Sequence, residues 1–162
     1  MALVIEDGSG VADAEAYISV ADADAYFAAR GNAAWAALDT SSKEQALRRG
    51  ADYLETAYAW RGQRATATQA LSWPRSCVVV DGVSVPSDAV PQAIQRANAE
   101  LAVRASAGDL AADESAQVKQ ETVGPITVVY ADGARQNARY VAVDSLVAAY
   151  VRGGGQIAVV RA

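Results

Sequence analysis

The sequence predicts a mainly α protein with a small β-element, an α+β helical bundle with extended terminal arms. Apolar residues recur at helical spacing in three segments, whereas glycine and proline separate two short segments rich in β-branched residues. A length of 162 residues and a hydrophobic content of 52% suit one domain with its own core. Since much of that content is alanine, we expect Trp35, Trp60 and Trp73 to carry much of the core volume.

The N-terminal part is predicted to be an arm followed by a helix. Residues 1–18 open with the apolar run Leu3-Val4-Ile5 and continue with glycines and short polar residues that favour a turn. The hydroxyl of Ser19 can accept a hydrogen bond from a free backbone N–H of a first helical turn. We therefore predict a helix that starts at Ser19, runs to Arg30 and stops at Gly31.

A second helix is predicted to start at Ser41, which stands three residues before Glu44 as in a capping box. Its apolar face is formed by Leu47, Gly50, Leu54, Ala57 and Tyr58. Glycine inside a helix costs about 1 kcal/mol relative to alanine. Gly50 therefore either permits the close approach of a neighbouring element or is merely tolerated.

The third helix has the clearest apolar stripe, which consists of Val90, Ile94, Ala97, Leu101 and Ala105. Pro91 falls in the predicted first turn, where its missing N–H removes no helical hydrogen bond. Gly108 ends this helix.

Between the second and third helices, from Arg61 to Asp88, the helical periodicity fails and glycines and prolines predict a loop. This loop carries one predicted hairpin, because Cys77 to Val80 and Val83 to Val85 flank Asp81-Gly82. An Asp-Gly pair readily adopts the positive backbone dihedrals of a tight hairpin turn.

After the third helix, residues 109–116 are small and acidic and are predicted to form a flexible connection. The β-branched residues from Val118 to Tyr130 predict a β-hairpin around Gly124-Pro125. Asp144 is predicted to cap a short last helix, which the glycines at 153–155 end.

The chain is thus predicted to divide into a helical domain over residues 1–152, with small β-hairpin insertions, and a glycine-hinged tail over residues 153–162. The tail is the candidate site for binding another protein, through Gly153, Gly154, Gly155, Gln156, Ile157, Ala158, Val159, Val160 and Arg161. A freed strand can add to an exposed sheet edge of a partner through main-chain hydrogen bonds. Alternatively, the tail is the last strand of the domain's own sheet, paired with residues 118–130.

The residue types argue against an enzyme. Histidine is absent and Cys77 is the only thiol, which excludes an intramolecular disulfide, a histidine general base and the usual zinc ligand sets. The glycine-rich segments lack the motifs of phosphate-binding loops, and the paired acids lie in loops or among alanines. We therefore predict no catalytic residue, no metal and no cofactor. Since no apolar stretch has the length of a membrane span, we expect no membrane partner and folding in a cytoplasm.

A net charge of -5 makes the mean field of the chain repel phosphate. Binding of single-stranded DNA, the alternative function, needs a basic groove with stacking aromatic rings. Trp60, Arg61, Arg64 and Trp73 form the only such cluster in the sequence. The same arginines, like Arg48 with Arg49, also fit solvated helix faces, and Trp73 before a proline also fits a core position.

Four segments, in this order, resemble phage and prophage proteins that carry the name DnaT-like single-stranded-DNA-binding protein. They are Ala16 to Phe27, Gln69 to Arg75, Pro86 to Pro91 and Lys119 to Val128. Those proteins are similar in size and helical layout to the head-tail adaptor proteins of tailed phages. The resemblance extends from about residue 4 to residue 152.

The resemblance implies a head-to-tail connector subunit (a head completion protein) in a homo-oligomeric, commonly dodecameric ring beneath the portal of a filled capsid. It also implies docking to the portal above and to a stopper or tail-completion protein below. Genomic double-stranded DNA passes through the channel without specific binding, which suits an acidic wall. The tail would grip the portal, with the N-terminal arm as the rival candidate. The implied location is the head–tail junction of the virion, after assembly in the host bacterial cytoplasm.

Overall fold

The structure is a computed structural model, and it describes residues 2–112, 120–123, 126–129 and 139–153. Within these ranges the helices are α1 Val20–Ala28, α2 Ala33–Ala36, α3 Thr40–Ala57, α4 Gln92–Ala105 and α5 Val141–Val147. The strands are β1 Gln63–Arg64, β2 Arg75–Ser76, β3 Val79–Val80, β4 Val83–Ser84, β5 Gln120–Val123 and β6 Ile126–Val129. In the described part of the chain, these strands pair in chain order as three antiparallel two-stranded sheets. The predicted class, mainly α with a small β-element, is confirmed.

Local capping signals explain where the first helices begin. The Ser19 side chain accepts a hydrogen bond from the Asp22 N–H, which confirms the predicted start of α1. The predicted start of α3 at Ser41 is wrong, because Asp39 is the capping residue and accepts from the Ser42 N–H. Asp39 and Ser41 are both good capping residues, and the extended backbone of Asp39 places its carboxylate at the open N–H groups. The four-residue helix α2, capped by Asn32, is too short to produce a periodic pattern.

The two later helices also begin differently from the prediction. Pro91 has an extended backbone and forms the cap of α4 rather than its first turn. Asp144 does not cap α5 but lies within its first turn, where it accepts hydrogen bonds from the Tyr58 hydroxyl at 2.7 Å and from Arg139 Nε at 2.8 Å. α5 ends at Val147, before the glycines, because the residues that follow pair with another segment.

The N-terminal segment, predicted as an arm, is tied to α3 and α4 by the Arg48–Glu15 ion pair and by the hydrogen bond from the Tyr17 N–H to Asn98. Ile5 pairs with Ala16 in a parallel bridge, and Tyr17 is buried. The loop between them closes on the buried carboxylate of Glu6, which accepts the N–H groups of Gly8, Gly10 and Val11 at 2.8–2.9 Å. These hydrogen bonds satisfy the carboxylate within its own loop, so this segment is part of the folded body.

The core is organised around the close contact of α3 with α4. An ideal Cβ built on Gly50 would lie 2.8 Å from Asn98 Nδ2 and 2.9 Å from the Asn98 carbonyl oxygen. This confirms the close approach of a neighbour as the reason for the glycine. Trp35, Trp60 and Trp73 are all buried, as predicted. Trp35 belongs to the apolar cluster of α1 and α2, and the other two tryptophans belong to the cluster beside α4 and α5.

Two of the three small sheets were predicted. The β3–β4 hairpin turns at Asp81 and Gly82 with φ values of 51° and 80°, which are those of the expected tight turn. β5 pairs with β6 from Gln120–Val129 to Val123–Ile126, in agreement with the predicted second hairpin. The two-residue strands β1 and β2 are too short to give a sequence signal.

The flexible connection predicted for residues 109–116 lies partly outside the described residues. The tail after Gly153 lies wholly outside them. None of the helices in the described part of the chain combines the length and the apolar character that crossing a bilayer requires.

Candidate functional site

The C-terminal end of the described body is joined to the segment that follows α3. The Arg61 N–H donates to the Tyr150 carbonyl at 2.9 Å, and the Arg152 N–H donates to the Ala59 carbonyl at 2.7 Å. Trp60 and Val151 therefore face each other in an antiparallel bridge. This short ladder brings residues 59–64 and 150–153, which are far apart in sequence, to one surface.

The aromatic residues of this region pack together beneath that surface. The ring centroids of Trp60 and Trp73 are 6.0 Å apart, and those of Trp73 and Tyr150 are 5.6 Å apart, both in edge-to-face orientations. Tyr58 packs on Trp60 from the side of α3. Because Trp60 and Trp73 are buried, neither ring offers a face on which a nucleic-acid base can stack.

Glu55 anchors the loop that contains Trp73 to α3. It accepts hydrogen bonds from the Tyr17 hydroxyl, from the Ser72 N–H at 3.1 Å and from the Ser72 hydroxyl at 2.6 Å. Burial, followed by the neighbouring Glu55 carboxylate, raises the pKa of Tyr17, so the hydroxyl stays protonated as the donor. The backbone N–H of Trp73 in turn donates to the Tyr17 hydroxyl at 3.3 Å, which fixes the loop to the N-terminal segment.

Arg75 is buried beside this aromatic cluster. Its guanidinium donates to three carbonyl oxygens: from Nε to Arg61 at 2.6 Å, from Nη1 to Ser72 at 3.0 Å and from Nη2 to Gly62 at 2.9 Å. Burial, with the nearby charges of Arg152 and Arg64, lowers the pKa of Arg75. Through these hydrogen bonds the side chain joins two loop segments, one at Arg61 and Gly62 and the other at Ser72.

Three exposed arginines, Arg61, Arg64 and Arg152, lie near Arg75, and we call these three the arginine rim. Arg61 Nε donates to the Val151 carbonyl at 3.0 Å, and Arg152 Nη2 donates to the Gly62 carbonyl at 3.3 Å. Arg64 lies 4.0 Å from Glu55, at the limit of an ion pair. Most of these partners are uncharged carbonyl groups, and in the described part of the chain Glu55 is the acidic side chain that lies near the rim.

The structure thus brings together all four residues predicted for nucleic-acid binding, with the arginines outside and the tryptophans inside. Sequence reasoning missed Arg75 and Arg152, because neither has a local signal and Arg152 joins the rim from 90 residues away. Arg48 and Arg49 form no patch with them. Arg48 pairs with Glu15 at 2.9 Å, and Arg49 pairs with Asp109 at 2.6 Å.

An apolar groove lies on the other side of Tyr150, and we call it the hairpin groove. It has a volume of about 320 Å³ and is lined by Val80, Val83, Ser84, Val85, Pro86, Pro91, Gln92 and Tyr150. Val80 and Val83 face each other across the β3–β4 pair. Val83 is 69% exposed and Val79 of the same hairpin is 51% exposed, so this hairpin presents uncovered apolar surface. The sequence predicted the hairpin but not the groove.

The tail predicted to bind a partner begins beside these features. Gly153 is exposed and follows the ladder directly, whereas the predicted residues from Gly154 to Arg161 lie outside the described part of the chain. Tyr150 connects the two features, because it lines the hairpin groove and precedes the start of the tail by three residues.

Fold and site define a small helical α+β protein in which a buried aromatic cluster supports an arginine rim and an apolar groove. In the described residues, cysteine and acidic side chains form no group of three or more that could hold a metal ion. The chain belongs to the family described as "Putative DnaT-like ssDNA binding protein", which matches residues 1–162. No curated protein and no solved structure matches the chain.

Proposed function

We propose that this chain is a structural subunit of a phage head-to-tail connector, which forms a ring beneath the portal and links the DNA-filled head to the stopper or tail. The observation that carries the proposal is the distribution of apolar side chains around the aromatic cluster. The large rings of Trp60 and Trp73 are enclosed in the core, whereas Val79 and Val83 stand exposed beside an apolar groove. Uncovered apolar surface of this kind favours contact with other protein chains.

The charge of the chain supports the same proposal. A ring that surrounds the exit channel must let double-stranded DNA pass, and a net charge of -5 per subunit disfavours tight binding to phosphates. The resemblance adds a second argument, because the phage and prophage proteins that these segments resemble are similar in size and helical layout to head-tail adaptor proteins. In this proposal the chain acts through the area it buries against its own copies, the portal and the stopper, and it catalyses no reaction.

Binding to the portal tests this function. When purified portal rings of the same phage are mixed with the full-length chain, sedimentation velocity is expected to show a heavier particle that carries several copies of the chain per portal. Portal rings of an unrelated phage are the control and are expected to sediment unchanged. If the cognate rings also sedimented unchanged at a large excess of the chain, the connector function would be refuted.

The second candidate function is binding of single-stranded DNA. It is favoured by the name of the family and by the arginine rim, whose charges have few acidic partners in the described structure. The burial of Trp60 and Trp73 weighs against it, because base stacking contributes about 1–3 kcal/mol per base in proteins of that type.

Fluorescence anisotropy with a labelled oligothymidine separates the two functions. The connector proposal predicts no binding at low salt by the full-length chain. If the chain bound, Arg64→Gln would weaken the affinity and reduce the slope of log K against log salt by about 0.7, which is the value for one phosphate contact on single strands. Arg30→Gln, an exchange of an exposed arginine just after α1, is the matched control. A loss at Arg64 without a loss at Arg30 would establish the single-strand function.

A further inference from the structure

We propose that the hairpin groove binds the tail of a second copy of this chain, with the apolar residues from Ile157 to Val160 of one subunit lying against Val80, Val83 and Tyr150 of the next. The inference names the partner of the groove and rests on the proposed function, because it assigns a contact between neighbouring subunits of the ring.

The groove has the chemistry of an acceptor for an extended apolar segment. Valines, prolines and Tyr150 form its walls, and Ser84 and Gln92 are the other polar residues among those that line it. Within the described residues, β3 and β4 pair only with each other. No other strand of the described part of the chain occupies the hairpin edges, and an added strand would gain main-chain hydrogen bonds as well as apolar contacts.

The tail has matching length and composition. Nine residues, 154–162, follow Gly153, and they include the uninterrupted apolar run Ile157-Ala158-Val159-Val160. Nine residues in an extended conformation span up to about 30 Å. That reach is enough to cross from the surface of one small domain to a groove on a neighbour.

The direction in which the chain leaves the body favours a second copy over the chain's own groove. In the ladder, Tyr150 lies opposite Arg61, and Arg152 lies opposite Ala59. The chain thus runs away from Gly62, whose neighbour Val78 stands at the base of the hairpin. Because the last described residues lead away from the base of the hairpin, we assign the tail to the groove of a neighbouring copy rather than to its own groove.

This arrangement makes each subunit both a donor and an acceptor. A head-to-tail contact of this type uses two different surfaces and closes into a ring when the rotation between subunits permits it. The groove and the start of the tail lie near Tyr150 in each subunit, so every contact would be built from the same pair of elements.

Photocrosslinking in the full-length chain tests the proposal. Val159 is replaced with p-benzoylphenylalanine, and equal amounts of ¹⁴N-labelled and ¹⁵N-labelled protein are mixed, concentrated and irradiated. Mass spectrometry is expected to find crosslinks between a light and a heavy chain that join position 159 to residues 79–86 or to Tyr150. Crosslinks only within one chain, crosslinks to another surface, or no crosslink would each overturn the proposal, as would transfer of the crosslink to portal protein when portal is present.

A matched pair of variants controls for the exposed valines. Val83 and Val141 are 69% and 60% exposed, so their replacement with aspartate leaves the core intact. Val83→Asp is expected to lower the yield of mixed crosslinks about tenfold, because it sets a charge against an apolar strand. Val141→Asp is expected to leave the yield unchanged, and both variants should melt within a few degrees of the parent protein. Equal yields in the two variants would contradict the assignment of the groove.

The outcomes separate this inference from the connector function itself. If the crosslinks fail while the chain still binds cognate portal rings in sedimentation, the groove has another occupant and the connector function stands. If mixed crosslinks form but the portal is not bound, the contact between copies stands and the connector function is refuted.

Discussion

Replacement of Asn98 with alanine is expected to lower the free energy of unfolding by about 2–4 kcal/mol. Asn98 is fully buried in α4, where Oδ1 accepts the Tyr17 N–H at 2.9 Å and Nδ2 donates to the Leu47 carbonyl at 2.9 Å. Alanine would leave the Tyr17 N–H without a partner in a dry interior, at a cost of about 1–3 kcal/mol, and would add a small cavity. Urea unfolding followed by circular dichroism measures the change.

Gln95→Ala is the control for this exchange, because it removes a side-chain amide from the same helix at a position that is only half-buried. We expect its effect to stay within about 0.5 kcal/mol. A loss of less than about 0.5 kcal/mol for Asn98→Ala as well would mean that Asn98 does not join α4 to the N-terminal segment and to α3.

Replacement of Gly50 with alanine is expected to destabilise the fold by about 1–2 kcal/mol, although helix propensity alone predicts a gain of about 1 kcal/mol. The added Cβ would meet Asn98 Nδ2 at 2.8 Å, the Asn98 carbonyl oxygen at 2.9 Å and the Ala102 backbone nitrogen at 3.1 Å. Two of these atoms belong to the backbone of α4 and the third is held by hydrogen bonds, so the helices must separate. Thermal and urea unfolding show directly whether the exchange lowers or raises the free energy of unfolding.

Gly108→Ala is the matched control, since nothing lies within 4 Å of the position that an added Cβ would take there. It is expected to leave stability unchanged or to raise it by up to about 1 kcal/mol. A gain for Gly50→Ala equal to that for Gly108→Ala would show that α3 and α4 are not in close contact at this point.

The parts of the fold that were predicted from the sequence depend on local chemistry. Ser19 caps the helix that follows it, and Asp81-Gly82 turns its hairpin, because each feature needs only the residues beside it. Local rules do not choose between neighbouring capping residues. The sequence therefore did not show that Asp39 rather than Ser41 caps α3.

The parts that escaped prediction depend on contacts that are distant in sequence. Arg75 is held by carbonyl groups of two earlier loop residues and of Ser72, and no pattern in the sequence marks this arrangement. Arg152 reaches the arginine rim only because residues 150–152 pair with residues 59–61. The same ladder positions Tyr150 at the hairpin groove, so the groove was equally invisible to periodicity and turn signals.

The candidate nucleic-acid cluster illustrates the limit most clearly. Its four residues do meet in space, but the sequence could not decide which side chains face outward. The requirement to bury large rings decided it, since Trp60 and Trp73 pack on each other and on tyrosines, whereas arginines keep their charged ends in water.

The central claim is that this chain works by joining protein surfaces at the head–tail junction, and electron microscopy tests it most directly. Portal rings of the same phage are imaged alone and after incubation with the full-length chain. The account predicts an additional ring of density, with the symmetry of the portal, on the side that faces the tail. Class averages of the portal that do not change on incubation with a large excess of the chain would contradict it.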